Sequence, residues 1–270
     1  MIRFFSAMSE SKRAAVTEPS LVLGNINWFK YASPQTFFPL AGAMIPWFGW
    51  AAAIFCAAGL YVGFFVAPTD YQQGEVYRII FIHVPAAWMS MFIYVVMAFW
   101  AGVGLAFNTR LSHMMARALA PTGALFTFLA LWTGALWGKP TWGTWWVWDA
   151  RLTSELILLF QYFGYLALQA AIDDPRRGDR AGAVLALVGV VNIPIIYFSV
   201  EWWNTLHQGA SVSLTAAPKM AATMLAGMLL MALAAWMYSI AVSLHRVRTI
   251  MLEREHAADW AKAYARGVLP

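Results

Sequence analysis

Six long stretches of this chain are almost purely apolar, at about residues 47–67, 84–107, 117–137, 153–172, 181–200 and 220–243, and each is bounded by polar or Pro/Gly-rich segments. A helix needs about 20 such residues to cross a hydrocarbon core. Six helical spans follow, giving an all-α, polytopic membrane protein with both termini on one side. The pattern predicts a tail over 1–46, a six-helix membrane domain over 47–243 and a second tail over 244–270. No internal repeat or low-complexity tract divides it further.

Composition agrees with lipid as the solvent. Hydrophobic residues make up 61% of the chain and charged residues 11%, against about 25% charged in a soluble domain. The net charge of +5 has no basic stripe behind it, so it speaks for topology and not for nucleic acid. Positively charged loops resist translocation and stay in the cytoplasm. With the amino terminus inside, fourteen basic residues are cytoplasmic: Arg3, Lys12, Arg13, Lys30, Arg110, Arg117, Arg176, Arg177, Arg180, Arg246, Arg248, Arg254, Lys262 and Arg266. Four, namely Arg78, Lys139, Arg151 and Lys219, face outward. The bias predicts that both tails are cytoplasmic in a bacterial inner membrane. The amino-terminal tail lacks an early apolar core followed by a small-residue cleavage site, so it is expected to be retained. Trp28, Phe29, Tyr31, Phe37 and Phe38 are expected to rest on the membrane interface.

The inner connections, Asn108 to Arg117 and Asp173 to Arg180, read as ordinary connectors. The outer segments, Pro68 to His83, Gly138 to Leu152 and Glu201 to Lys219, are longer and richer in unusual residues, and chemistry concentrates in such loops. The second of these, taken as a loop over about 137–152, follows Trp137 and holds Trp142, Trp145, Trp146 and Trp148, then Asp149 and Arg151. An interfacial aromatic belt accounts for any one of these tryptophans. Their concentration in one segment, with Gly138, Pro140 and Gly143 to turn the backbone, points instead to a flat apolar ligand that stacks on indole.

Five histidines are present. His113, His245 and His256 fall in inner polar segments and read as surface residues. His83 and His207 both fall at the outer edge. Each alone suits a helix-end hydrogen bond; together, at one depth beside an aromatic shelf, they suit axial ligation of one porphyrin iron. Arg78 and Arg151 are placed to reach haem propionates, with local pairing to Glu75 or Asp70 and to Glu155 as the alternative. Asp149 and Glu155 begin the fourth span, where carboxylates favour the helix dipole, so Asp149 reads as a helix-organising or positioning residue.

Other classes of activity lack their residues. There is one cysteine, Cys56, hence no intrachain disulfide, no CxxC and no CxxCH for covalent haem attachment. No GxxxxGK[ST] loop occurs, so this chain carries no nucleotide-hydrolysing motif. The spans hold almost no ionisable residue, which speaks against an ion path. Thr122, Thr127, Thr133, Asn192 and Pro194 read as helix-joining or kink-relieving positions.

The run WGKPTWGTWWVWDARLTSELILLF, Trp137 to Phe160, resembles the tryptophan-rich "WWD" signature of membrane proteins that handle haem in cytochrome c maturation. Its D-A-R-L-T ending resembles the CcmC branch. YRIIFIHVPAAW, Tyr77 to Trp88, and VEWWNTLHQG, Val200 to Gly209, resemble the two histidine-bearing segments of that branch. The resemblance covers about Phe65 to Ala241. It implies that His83 and His207 are the axial ligands of a transiently bound haem b, and that Trp142, Gly143, Trp145, Trp146, Trp148 and Asp149 build the haem-binding domain. It also implies partners: a haem chaperone, CcmE, which takes haem covalently through its own histidine, and the subunits CcmA, CcmB and CcmD. Two alternatives stay open, a cytochrome-b-like electron carrier and a permease subunit for haem or another solute.

Overall fold

The computed structural model describes residues 28–207, 209, 212 and 217–268. The expectation of a retained tail falls largely on residues 1–27, outside that set. A 3-10 turn, Trp28–Ala32, leads into α1 (Pro34–Tyr61), which loosens into a π-helical turn, Val62–Val66. A second 3-10 turn, Glu75–Ile79, runs into α2 (Ile80–Phe107). Then come α3 (Arg110–Trp142), α4 (Ala150–Ala171), α5 (Pro175–Gly189), α6 (Asn192–Trp202), α7 (Ala222–Arg254) and the short α8 (Asp259–Ala265). There is no β-sheet among the described residues.

The chain is therefore an all-α, multi-pass membrane protein. Five rods are long and apolar enough to cross a bilayer: Pro34–Val66, Glu75–Phe107, Arg110–Trp142, Pro175–Trp202 and Ala222–Arg254. The expected fourth span is α4, 22 residues long; Arg151, Glu155, Gln161 and Gln169 leave it outside that apolar set. The fifth expected span is two helices, α5 and α6, joined through Val190 and Val191.

Helix ends differ from the apolar pattern in one direction: the helices are longer. α1 begins at Pro34 and not near 47, because Pro34 occupies the first turn, where a missing N–H costs nothing. Pro39 and Pro46 lie inside the same helix, which membrane helices tolerate where neighbouring groups re-satisfy the backbone. The connector expected from Asn108 to Arg117 shrinks to Asn108 and Thr109, with Asn108 in the left-handed region at φ 52°. α5 starts at Pro175, capped by Asp174, whose Oδ1 accepts from the Arg176 N–H at 2.8 Å.

The core lies where α2, α3, α4 and α5 meet, around Tyr94, Tyr162 and Tyr165, with Ala101, Ala116, Ala120 and Ala186 letting backbones approach. Polar side chains join the helices inside it. Tyr162 Oη donates to Ser90 O at 2.8 Å, Ser90 Oγ to Glu155 Oε1 at 2.7 Å, and Asn192 Nδ2 to Ser154 O at 2.8 Å. Glu155 is thus a buried ionisable group inside the bundle, contrary to the near-absence expected there. Asn192 joins α6 to α4, as its type suggested.

Helix ends α2 C-terminal, α3 N-terminal, α4 C-terminal, α5 N-terminal and α7 C-terminal gather at one end of the bundle. There Arg254 grips Asp179 through two bonds of 2.6 and 2.8 Å. α8 folds back on the start of α1: Phe38 is buried against Trp260 and Tyr264, with the Arg248 guanidinium 4.1 Å from its ring centroid. Phe38 therefore packs within the protein and does not rest on an interface. His113, expected at the surface, is buried, its ring filling the space beside Gly104; the helix carries it inward because α3 starts before it.

Candidate functional site

At the other end of the bundle the start of α2, the end of α3, the start of α4 and the segment after α6 converge. α3 runs on through Trp142, so Trp137 and Trp142 stand on its last turns and not in a loop as expected. Gly143 stops the helix at φ +79°, a conformation that a side chain strains, and its N–H donates to Lys139 O at 3.0 Å. The true connection is short. It holds Trp146, half-buried, and Trp145 and Trp148, which are 54% and 76% exposed and so form an open indole shelf. Trp146 and Trp148 meet edge to face at 5.4 Å between centroids. Asp149 then caps α4, its Oδ1 accepting from the Leu152 N–H at 2.8 Å; the helix-organising role read from the sequence is present.

His83 stands on the first turn of α2. Its Nδ1 is 3.0 Å from Thr133 Oγ1, and that hydroxyl has one proton, already donated to the Leu129 carbonyl on its own helix. The hydroxyl must therefore accept from His83, placing the imidazole proton on Nδ1 and leaving Nε2 with a free lone pair. Trp137 closes on the same ring edge to face at 5.6 Å, and its Nε1 donates to Gln73 Oε1 at 2.7 Å. Gly134 gives the ring its room: a Cβ there would stand 3.0 Å from His83 Cε1. Gly134→Val is expected to push the imidazole off Thr133 and, if that ring binds a ligand, to weaken binding about tenfold, as loss of such supporting contacts does at metal sites; titration of the purified variant measures it.

His207 comes from the segment after α6 and packs against Trp142 with the rings tilted at 56° and their centroids 4.9 Å apart. Burial, and Arg151 nearby, push its pKa down to about 4, so it is neutral at pH 7, the state in which a ring nitrogen binds metal. His83 and His207 line the same three adjoining cavities, of about 130, 40 and 40 Å³. Arg151 lines the first two, its Nη1 donating to Ile196 O at 3.3 Å. Glu155 bounds the second but takes Ser90 as its partner. Arg78 lines none of the three. Its guanidinium pairs with Glu75 and donates to the Gly63 carbonyl, the local alternative named above.

Thr133, Gln73 and Gly134 were not read from the sequence as site residues. Thr133 and Trp137 are one helical turn apart and so share a face, which marks Thr133 once His83 is placed between them; nothing local marks Gln73.

A family model described as Heme exporter protein C matches residues 27–262. Proteins named Heme exporter protein C are similar along most of the chain. The one from Haemophilus influenzae is 46% identical over 236 residues, 87% of this chain and 96% of its own. That from Escherichia coli K12 is 55% identical over 180 residues, 67% and 74%, and that from Paracoccus denitrificans 42% over 235 residues, 87% and 97%. The chain belongs to the heme exporter protein C family. The match takes in α1 and the turn of α8 up to Lys262, wider than the stretch from Phe65 to Ala241 that the motifs delimit. Residues 1–26 lie outside it.

Among the described residues no group of three or more His, Cys, Asp or Glu side chains is placed to hold a bare metal ion. Two neutral imidazoles suit an iron whose four other ligands a porphyrin already supplies. The largest of the three cavities is smaller than the 300–1,000 Å³ or so that encloses a drug-sized ligand, so a flat ring held between the histidines would extend beyond them toward the open tryptophan shelf.

Proposed function

We propose that this chain, whose family handles haem in cytochrome c maturation, holds haem non-covalently between His83 and His207 at the periplasmic edge of the inner membrane and passes it to a haem chaperone of the CcmE type. The observation that carries the reading is the pair of imidazoles on separate elements facing the same cavities. The Nδ1 of one is occupied by Thr133, the other imidazole is uncharged, and Arg151 stands beside both. Arg151 takes a propionate in this scheme. Trp142, Trp145, Trp146 and Trp148 face the ring and the incoming partner, with Gly143 and Asp149 shaping the turn that presents them. Six crossings, α4 included, with both termini cytoplasmic, follow from the basic residues clustered at the Arg254 end; CcmA, CcmB and CcmD are the membrane and ATP-binding partners that the family resemblance supplies.

A fixed electron-carrier haem fits less well, because the histidines sit at an end of the bundle beside an exposed shelf and not deep between helices. A permease fits less well too, since the buried polar groups Glu155, Ser90, Tyr162 and Asn192 are engaged in bonds that join the helices.

The test is transfer. Detergent-purified protein loaded with haem, mixed with the soluble domain of the chaperone, is expected to lose its absorption band as haem appears on the chaperone in a denaturation-resistant form. Haem that stays put and cycles with quinol sinks the proposal in favour of the carrier. A reporter inserted at Asp173, between α4 and α5, is expected to behave as cytoplasmic, and the opposite result inverts the topology.

A further inference from the structure

We infer that Asp149 is a positioning residue for His207: the carboxylate that caps α4 also accepts the His207 Nδ1–H, setting the tautomer that leaves Nε2 free for iron. The inference rests on the reading of His207 as a ligand.

The two oxygens of Asp149 are divided between two tasks. Oδ1 takes the Leu152 N–H at 2.8 Å and caps α4. Among the described residues Oδ2 is buried with no hydrogen-bond partner and faces His207 Nδ1, also buried and unpartnered, across 3.9 Å. Two orphaned polar atoms enclosed together are costly to each other unless they bond, each unmet buried group being worth about 1–3 kcal/mol. They are complementary as donor and acceptor, and a shift of about 1 Å in the His207 ring brings them to hydrogen-bond length. Trp142, tilted against the ring at 4.9 Å between centroids, confines that shift. A carboxylate can only accept, so the bond fixes the imidazole proton on Nδ1.

The two ligands are then held differently. His83 leans on the neutral hydroxyl of Thr133, itself bonded to the Leu129 carbonyl. His207 leans on an anion, which makes its Nε2 the stronger electron donor. The site is asymmetric by construction, with the anionic support on the segment after α6 and the neutral one inside the helices.

Asn and Ser at position 149 separate this from a capping role. Both cap helices well, Asn about as well as Asp. In Asp149→Asn the amide oxygen must stay on the Leu152 N–H, since an amide nitrogen cannot accept; the NH2 then points at His207 Nδ1 and forces it to accept, which moves the imidazole proton to Nε2 and blocks iron. Asp149→Ser keeps the cap with its one oxygen and leaves His207 Nδ1 to water. Haemin titration of the purified apo-proteins in detergent is expected to show Asn, the closer isostere, about 10–100-fold weaker than wild type, and Ser less affected. The Asn variant is expected to show a five-coordinate, high-spin spectrum where wild type is six-coordinate and low-spin. Equal affinity of Asn and wild type, Ser weaker than Asn, or an Asn chain that aggregates while Ser stays monodisperse overturns the inference. His207→Ala with an unchanged low-spin spectrum overturns the site reading itself, a separate outcome read in the same titration.

Discussion

Alanine at His83 or at His207 is expected to lower the haem retained through purification at least tenfold and to convert what remains to a five-coordinate spectrum. Each histidine supplies one of two axial bonds, and among the described residues no third imidazole, thiolate or thioether side chain lines the cavities except Met228. The two variants differ in what they leave behind. Without His83, Thr133 loses a donor but keeps its own bond to Leu129. Without His207, Asp149 Oδ2 loses the donor that faces it and has no other partner among the described residues. Added imidazole is therefore expected to restore the low-spin spectrum more fully in His207→Ala, where an anion waits to hold it. His113→Ala is the control. That ring is buried but packs on Gly104 at the opposite end, so its loss is expected to cost stability and leave the spectrum of bound haem unchanged. Full haem retention in both His83→Ala and His207→Ala removes the bis-histidine reading.

The bundle was legible in the chain because the solvent is lipid: an unbroken apolar run has few other fates. The helix ends were not. The stretch before residue 47 reads as a tail and the WGKPTW run as part of a loop, yet helix runs through Pro39 and Pro46 and through that run. The site was legible in kind, since histidines, indoles and arginines at one depth are rare enough to point to one ligand chemistry. Their partners were not legible. Arg78 and Arg151 look alike in sequence, one five residues before a histidine and one two after an aspartate. Only the fold separates Arg78, spent on Glu75 and Gly63, from Arg151, which faces the cavities. Thr133 lies fifty positions from His83 in the chain, and no local pattern links the two.

Asp179→Ala is expected to destabilise the protein by about 3–5 kcal/mol, the cost of leaving a buried cation unpaired. Arg254 and Asp179 are 12% and 6% exposed, and their paired bonds tie the last turn of α7 to the first of α5. Gln169 at the end of α4 donates to the Gly178 carbonyl and approaches Arg254 through its Oε1 at 3.5 Å, so one grip holds three helix ends. Breaking a pair and replacing it are different operations: Asp179→Leu with Arg254→Met removes both charges and both desolvation costs, and is expected to recover most of the loss. Thermal unfolding in detergent, followed by circular dichroism, measures both. If the single and double variants unfold alike, the pair is not what holds that end, and the packing of Phe38, Trp260 and Tyr264 around Arg248 carries it instead. Because this grip lies at the far end of the bundle from His83 and His207, haem bound by surviving folded protein is expected to keep its spectrum, which separates loss of the scaffold from loss of the ligands.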